Sequence, residues 1–269
     1  MHPVVNIALR AARKAGDNIM HATDRLDLLQ VEEKGLNDFV SDMDRKAEQE
    51  IIYHINKAYP DHHILAEESG ASDHLEASDY QWLIDPIDGT TNFIRGIPHF
   101  GISIACKLKG KLEHAVIYDP VRREEFTASR GQGAQLNGKR IRVSNRQNLE
   151  SAVLGTGIPF LSRQHEYLPV YVQSLQTLAA NSAGIRRMGA ASLDLAYVAA
   201  GRFEAFWEIG LSEWDIAAGA LLIQEAGGLV SDFNGGQDFL NTGNIVCGNP
   251  KCFKAVLQTV QPLLGDISR

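Results

Sequence analysis

The sequence predicts two layered halves in one body, an α+β front over residues 1–150 and an α/β back over 151–269. Three observations carry this. Short strand-like runs with turn residues between them crowd residues 100–137, the pattern of an antiparallel sheet. After about residue 150, strand and helix patterns alternate. No Pro/Ser-rich linker separates the two patterns.

The elements follow in order. Val4, Ala8, Ala11, Ala15 and Ile19 recur at helical spacing, with Arg10, Arg13 and Asp17 off that face, so a helix opens the chain. Residues 42–58 read as a second helix, with Ala47, Ile51, Ile52 and Ile55 inward, Ser41 as its N-cap and Pro60 closing the unit. Residues 64–66 and 82–84 read as short buried strands. The antiparallel sheet takes 100–108, 113–118, 125–129 and 134–136, turned at 109–111, at Pro120 with Arg122-Arg123, and at 131–133. The back half reads as strand 152–155, helix 166–180, strand 184–188, helix 191–200, strand 205–208, helix 213–226, strand 245–247 and helix 251–264. Gly201 and Gly227-Gly228 end two of these helices. There is no internal repeat and no low-complexity stretch.

Composition narrows the function classes. The 269 residues suffice for a sizeable core without disulfides. The apolar share of 44% and charged share of 22% are ordinary for a globular chain and exclude a disordered or fibrous one. A balance of 26 basic to 33 acidic residues, net charge -7, argues against direct nucleic-acid binding and suits carboxylates gathered around cations. Cys106, Cys247 and Cys252 are too few for a disulfide framework and read as buried thiols in a reducing compartment. No apolar run approaches the ~18 residues of a membrane span. Arg10, Arg13 and Lys14 interrupt any signal-peptide core, so a cytoplasmic protein is expected.

The most informative stretch runs from Trp82 to Phe93: an apolar strand, then Asp85-Pro86-Ile87-Asp88-Gly89-Thr90-Thr91. Gly89 lets a phosphate approach the backbone, where the N–H groups of Gly89, Thr90 and Thr91 can face it at a helix start. Asp85 and Asp88 place hard oxygen ligands beside that point, the setting in which Mg²⁺ binds. The bland alternative is a turn whose aspartates merely cap. A second acidic patch, Glu67-Glu68-Ser69, has a solvated loop as its rival reading. A third, Trp214-Asp215, has a sharper one: Ser212 and Asp215 fit a capping box, as do Ser41 and Asp44. Their joint occurrence, several following buried strands, favours chemistry.

These residues resemble a family. Residues 85–93 carry the signature of the inositol monophosphatases, and Trp214-Asp215 with Gly227-Gly228 is similar to its second signature. Lys34-Gly35, Asp38 to Ser41, Asp44, Glu67-Glu68-Ser69, residues 131–138 and the helix after Gly189 fit in the same order, so the likeness covers essentially the whole chain. It looks closest to the bacterial SuhB-type branch. The resemblance implies the layered αβαβα sandwich of the inositol monophosphatase and fructose-1,6-bisphosphatase superfamily. It implies a lithium-sensitive, Mg²⁺-dependent phosphomonoesterase acting on myo-inositol 1-phosphate and related small polyol phosphates.

Residue by residue, it implies Glu67, Asp85 and the Ile87 carbonyl as ligands of a first Mg²⁺, and Asp85, Asp88 and Asp215 as ligands of a second. Thr90 paired with Asp44 would orient the attacking water, with Glu67 sharing the base role. Asp88, Gly89, Thr90, Ala191 and Glu208 would bind substrate, and Lys34 would sit on a loop near the metals. Ala190 stands where many animal members carry threonine, so a side-chain contact there is in doubt. A homodimer is implied. The alternatives are a 3′-phosphoadenosine 5′-phosphate phosphatase, a fructose-1,6-bisphosphatase, or a transcription antitermination factor meeting RNA polymerase and Nus factors through protein surfaces.

Overall fold

Five layers of secondary structure stack around three apolar cores. The computed structural model describes residues 2–35, 38–72, 78–159 and 164–267, with backbone alone at 34, 35 and 38. The front half runs α1 (Pro3–Thr23), β1 (Val31–Gly35), β2 (Asp38–Ser41), α2 (Asp42–Ala58), β3 (His63–Ala66), β4 (Gly70–Ala71), β5 (Tyr80–Asp88), α3 (Thr90–Ile94), β6 (Gly101–Leu108), β7 (Lys111–Asp119), β8 (Glu124–Ser129), β9 (Gly133–Leu136) and β10 (Lys139–Arg140). The back half runs β11 (Val153–Thr156), α4 (Leu168–Ala180), β12 (Gly184–Arg186), α5 (Ala191–Ala199), β13 (Ala205–Glu208), α6 (Glu213–Glu225), β14 (Leu229–Ser231), α7 (Phe239–Thr242), β15 (Ile245–Gly248) and α8 (Pro250–Leu264).

Helices α1 and α2 form the outer layer. Their apolar stripes bury Ala11, Ala15, Ile19, Ala47, Ile51 and Ile55 completely, against Ile84, Ile102, Ile104 and Val116 of the first sheet. That sheet has eight strands in the order β10-β9-β8-β7-β6-β5-β3-β4, antiparallel except where β3 runs beside β5. Its other face packs on α5 and α6, which in turn cover the second sheet: Leu83, Ile117 and Phe126 share one core with Leu195, Ile216, Leu221 and Phe206. Because α5 and α6 are covered on both sides, their sequences are apolar nearly all round. The second sheet, β12-β11-β13-β15-β14, is closed by α4 and α8 through Tyr171, Leu178, Val256 and Val260. This is the αβαβα sandwich.

Beyond the short elements β4, β10, β14 and α7, which the sequence reading does not contain, the structure departs from it in three places. The second sheet is mixed: β11 is parallel to β12 and β13, whereas β15 is antiparallel to β13 and β14. Alternating strands and helices suggest parallel pairing, but no helix of the second sheet's outer layers intervenes between β14 and β15, only the four-residue α7. The β1–β2 hairpin is a second addition, hidden because Glu32 and Glu33 break any alternation. Third, β5 runs to Asp88, well past 84. Among the described residues no helix is long and apolar enough to cross a membrane, and all three thiols are free and buried.

Candidate active site

The site begins at the end of β5. Two residues three apart on a regular strand face opposite sides of the sheet. Here the ladder to β6 shifts between Asp85, opposite Ser103, and Asp88, opposite Gly101, so three steps on β5 match two on β6. This bulge contains Pro86, which has no N–H for the ladder, and it turns both carboxylates into one pocket. Asp85 Oδ1 accepts the Ile87 N–H at 3.0 Å. Gly89 then adopts φ +91°, and a Cβ there would lie 3.0 Å from the Gly189 carbonyl oxygen. The chain therefore turns into α3 only with glycine at this point.

Asp44 and Thr90 meet behind this turn. The Thr90 hydroxyl lies 2.9 Å from Asp44 Oδ1 and 3.0 Å from the Ile87 carbonyl, and its single proton serves one of them at a time. Glu67 follows β3, held where its N–H donates to the Ile84 carbonyl. Its carboxyl reaches hydrogen-bonding contact with Asp85. Sequence reading missed the residue that shapes this loop. Glu48, 2% exposed, accepts the N–H groups of Glu68 (2.8 Å) and Ser69 (2.9 Å). It lies one turn beyond Asp44 on the inward face of α2, and that i, i+4 spacing of acids was the available signal.

Asp215 arrives from the back half on the first turn of α6. That turn is tied to β6: Ser103 Oγ donates to the Trp214 carbonyl at 2.8 Å, and Lys107 pairs with Glu213. Asp215 Oδ2 accepts the Ser212 N–H at 2.7 Å, so the capping box is formed. Burial pushes the Asp215 carboxyl well up, and Glu67 and Asp88 push it further. Burial likewise raises Asp85, with Glu67, Asp88 and Asp215 adding to it. Asp88 is raised by burial but eased by α5, whose Ala191 N–H (3.2 Å), Ser192 N–H (2.7 Å) and Ser192 hydroxyl (2.5 Å) all donate to it. Ser192 is a second residue that sequence reading missed.

On the other side of Asp88 stands Glu208, the last residue of β13. It is 8% exposed, so its carboxylate sits in the interior and not in solvent at the strand's end. Burial pushes its carboxyl up to about 8, against the pull of Arg187 and with help from Asp88. Gly157 makes the room: a Cβ there would fall 1.6 Å from Glu208 Oε1. Ala191 is 8% exposed at the start of α5, and Ala190 is buried behind it. Lys34 belongs to β1, and its side chain lies outside the described residues.

Glu67 and Asp88 thus crowd Asp85 and Asp215 and hold both of their carboxyls up, a conflict that a hard divalent cation relieves. The donor set, all carboxylate and carbonyl oxygen, has the chemistry of Mg²⁺. Among the described residues no three His, Cys, Asp or Glu side chains already form a metal cage. The acids are parked on local donors instead, Asp88 on α5, Asp215 on Ser212 and Asp85 on Ile87.

The model of the inositol monophosphatase family matches residues 1–264 of this chain. The Nus factor SuhB of Pseudomonas aeruginosa is 62% identical over 265 residues, covering 98% of each chain. The crystal structure of the extragenic suppressor protein suhB of Bartonella henselae superposes with a TM-score of 0.92 at 43% identity, over 97% of this chain and 99% of that one. An IMPase of Thermotoga maritima superposes with a TM-score of 0.88 at 34% identity, over 98% and 99%.

Proposed function

This chain belongs to the inositol monophosphatase family, and on that premise we propose that it is a Mg²⁺-dependent phosphatase of myo-inositol 1-phosphate and similar small polyol phosphates. The observation that carries the reading is the gathering of Glu67, Asp85, Asp88 and Asp215 from both halves into one acidic cluster beside the Thr90–Asp44 pair. Glu67, Asp85, Asp88, Asp215 and the Ile87 carbonyl would hold the metal. Bound there, Mg²⁺ supplies Lewis acidity for the water, the phosphoryl oxygens and the departing alkoxide. Thr90 orients the attacking water through its hydroxyl, and Asp44 takes the hydroxyl's proton side and holds it in place. Glu208 accepts from sugar hydroxyls, and Ala191 leaves the α5 start open to the ring.

The test is a panel of phosphate monoesters assayed with Mg²⁺ and with chelator. Fastest Mg²⁺-dependent turnover on inositol phosphate supports the reading; no turnover of any monoester overturns it. A second reading, a transcription antitermination factor working through RNA polymerase and Nus factors, is favoured by the name Nus factor SuhB on a relative that matches from end to end. Retention of transcription partners by an inactive Asp88→Asn variant in a pull-down would support that role, and it is compatible with the first. A homodimer and a cytoplasmic location fit both readings.

A further inference from the structure

His99 and Asp194 face one another in the interior. They are 4% and 1% exposed. Both ring nitrogens of His99 and Oδ1 of Asp194 lack hydrogen-bond partners. They are three of the five such buried atoms among the described residues, so unmet polarity is concentrated at this spot. His99 Nε2 lies 4.0 Å from Asp194 Oδ1, too far for a direct hydrogen bond and near enough for both to reach one third atom. Leaving either group unpaired in a dry interior is costly, and an ordered water is the usual remedy where polar partners converge.

Both residues sit on segments that shape the active site. His99 is held by its main chain: its carbonyl accepts from Asn92 Nδ2 at 2.7 Å and its N–H donates to the Ile97 carbonyl at 2.7 Å. Its ring stands edge-on to Tyr197, with centroids 5.9 Å apart. Asp194 lies on α5, two residues beyond Ser192, whose N–H and hydroxyl hold Asp88. Asn92 also donates to the Met188 carbonyl at 2.9 Å, so the segment before α5 is already stitched to α3. A link from His99 to Asp194 adds the matching stitch on α5 itself.

We propose that His99 and Asp194 act as one positioning couple, bridged by a single buried water, which ties the segment after α3 to α5 and so holds Ala191 and Ser192 on Asp88. The His99 Nε2–H donates to the water and the water donates to Asp194 Oδ1. Neither residue touches substrate. Their effect on metal binding passes through Asp88 and rests on the metal-site reading above.

The test is a thermal double-mutant cycle with His99→Phe, Asp194→Leu, the double variant and the conservative Asp194→Asn, melted in EDTA and across a Mg²⁺ titration. Each of the first two strands a buried polar group, whereas the double variant removes both partners. The double variant is therefore expected to lose less stability in EDTA than the two single losses together. His99→Phe and Asp194→Leu are expected to raise the Mg²⁺ needed for half of the metal-induced rise in Tm by about tenfold, the usual scale for a residue behind a metal ligand. Asp194→Asn keeps an acceptor for the water and is expected to stay close to the parent protein. Additive losses in EDTA overturn the couple, and so does an unchanged Mg²⁺ midpoint when the parent protein responds to Mg²⁺. A parent protein whose Tm ignores Mg²⁺ overturns the metal reading instead, and the EDTA cycle alone then decides the couple. Should the single variants fail to fold, a folded double variant supports the couple and an unfolded one overturns it.

Discussion

The Asp44 carboxylate is shared between two structures: Oδ2 accepts the Ser41 N–H at 2.8 Å to cap α2, and Oδ1 accepts the Thr90 hydroxyl at 2.9 Å, from 46 residues further along the chain. Cap and site are therefore not rivals here, because a carboxylate has two oxygens and each can serve one of them. Thr90→Val keeps the shape and removes the hydroxyl. It is expected to lower kcat by about a hundredfold or more, the scale of positioned proton-transfer groups, while Thr90→Ser keeps most of it. Near-parental kcat for Thr90→Val would remove Thr90 from the mechanism.

Asp215 poses the same question on α6, where its Oδ2 completes the cap with Ser212. Asparagine offers the same acceptor, so Asp215→Asn is expected to cost at most ~1 kcal/mol of stability. Loss of one charged oxygen from the acidic cluster is expected to reduce activity by orders of magnitude. Melting curves and kcat together separate the two roles, and an active variant would reduce Asp215 to a cap.

Activity is expected to vanish in excess chelator and to return with Mg²⁺, because carboxylate and carbonyl oxygens dominate the cluster. By family resemblance, Li⁺ is expected to inhibit at elevated concentration. Full turnover in chelator would end the metal reading, whereas insensitivity to Li⁺ would leave hydrolysis standing.

Glu208 and Gly157 give a paired test of the polyol reading. Glu208→Ala leaves sugar hydroxyls without a charged acceptor, at about 1.5–3 kcal/mol, or roughly ten- to hundredfold in kcat/KM for inositol phosphate. An aryl phosphate, with no hydroxyls beside the ester, is expected to lose much less. Gly157→Ala would place its Cβ 1.6 Å from Glu208 Oε1 and is expected to mimic the loss by displacing that carboxylate. Equal losses on both substrates would assign Glu208 to the metals or the fold.

His114 gives the pH prediction. Burial and the stacked His2 ring, 4.2 Å away between centroids, push its imidazole down from 6.5 to about 4. Between those values the unfolded chain binds the proton and the folded chain does not. The stability contributed by neutral His114 is therefore complete above about 6.5 and declines as the pH falls towards about 4. Tm measured from neutral pH downward is expected to fall more steeply in the parent protein than in His114→Gln. Parallel slopes would exclude His114 as the titrating group.

What the sequence by itself determined is local. The helix over 42–58, its Ser41–Asp44 cap, the antiparallel run from 100 and the buried helices at 191 and 213 were legible because periodicity, caps and turn residues act within a few positions. The acids at 85, 88 and 215 were legible as a motif and ambiguous as chemistry, since a capping box and a ligand leave the same trace in sequence. Only the tertiary structure decided how they meet. A bulge in β5 turns Asp85 and Asp88 to one side, and Ser103 and Lys107 on β6 seat the start of α6 so that Asp215 comes in from the other half. Glu48 under the Glu67 loop and the space that Gly157 leaves for Glu208 belong to the same class. Each depends on a contact between residues distant in the chain, which local pattern cannot encode and which only the packing of one layer on the next brings about.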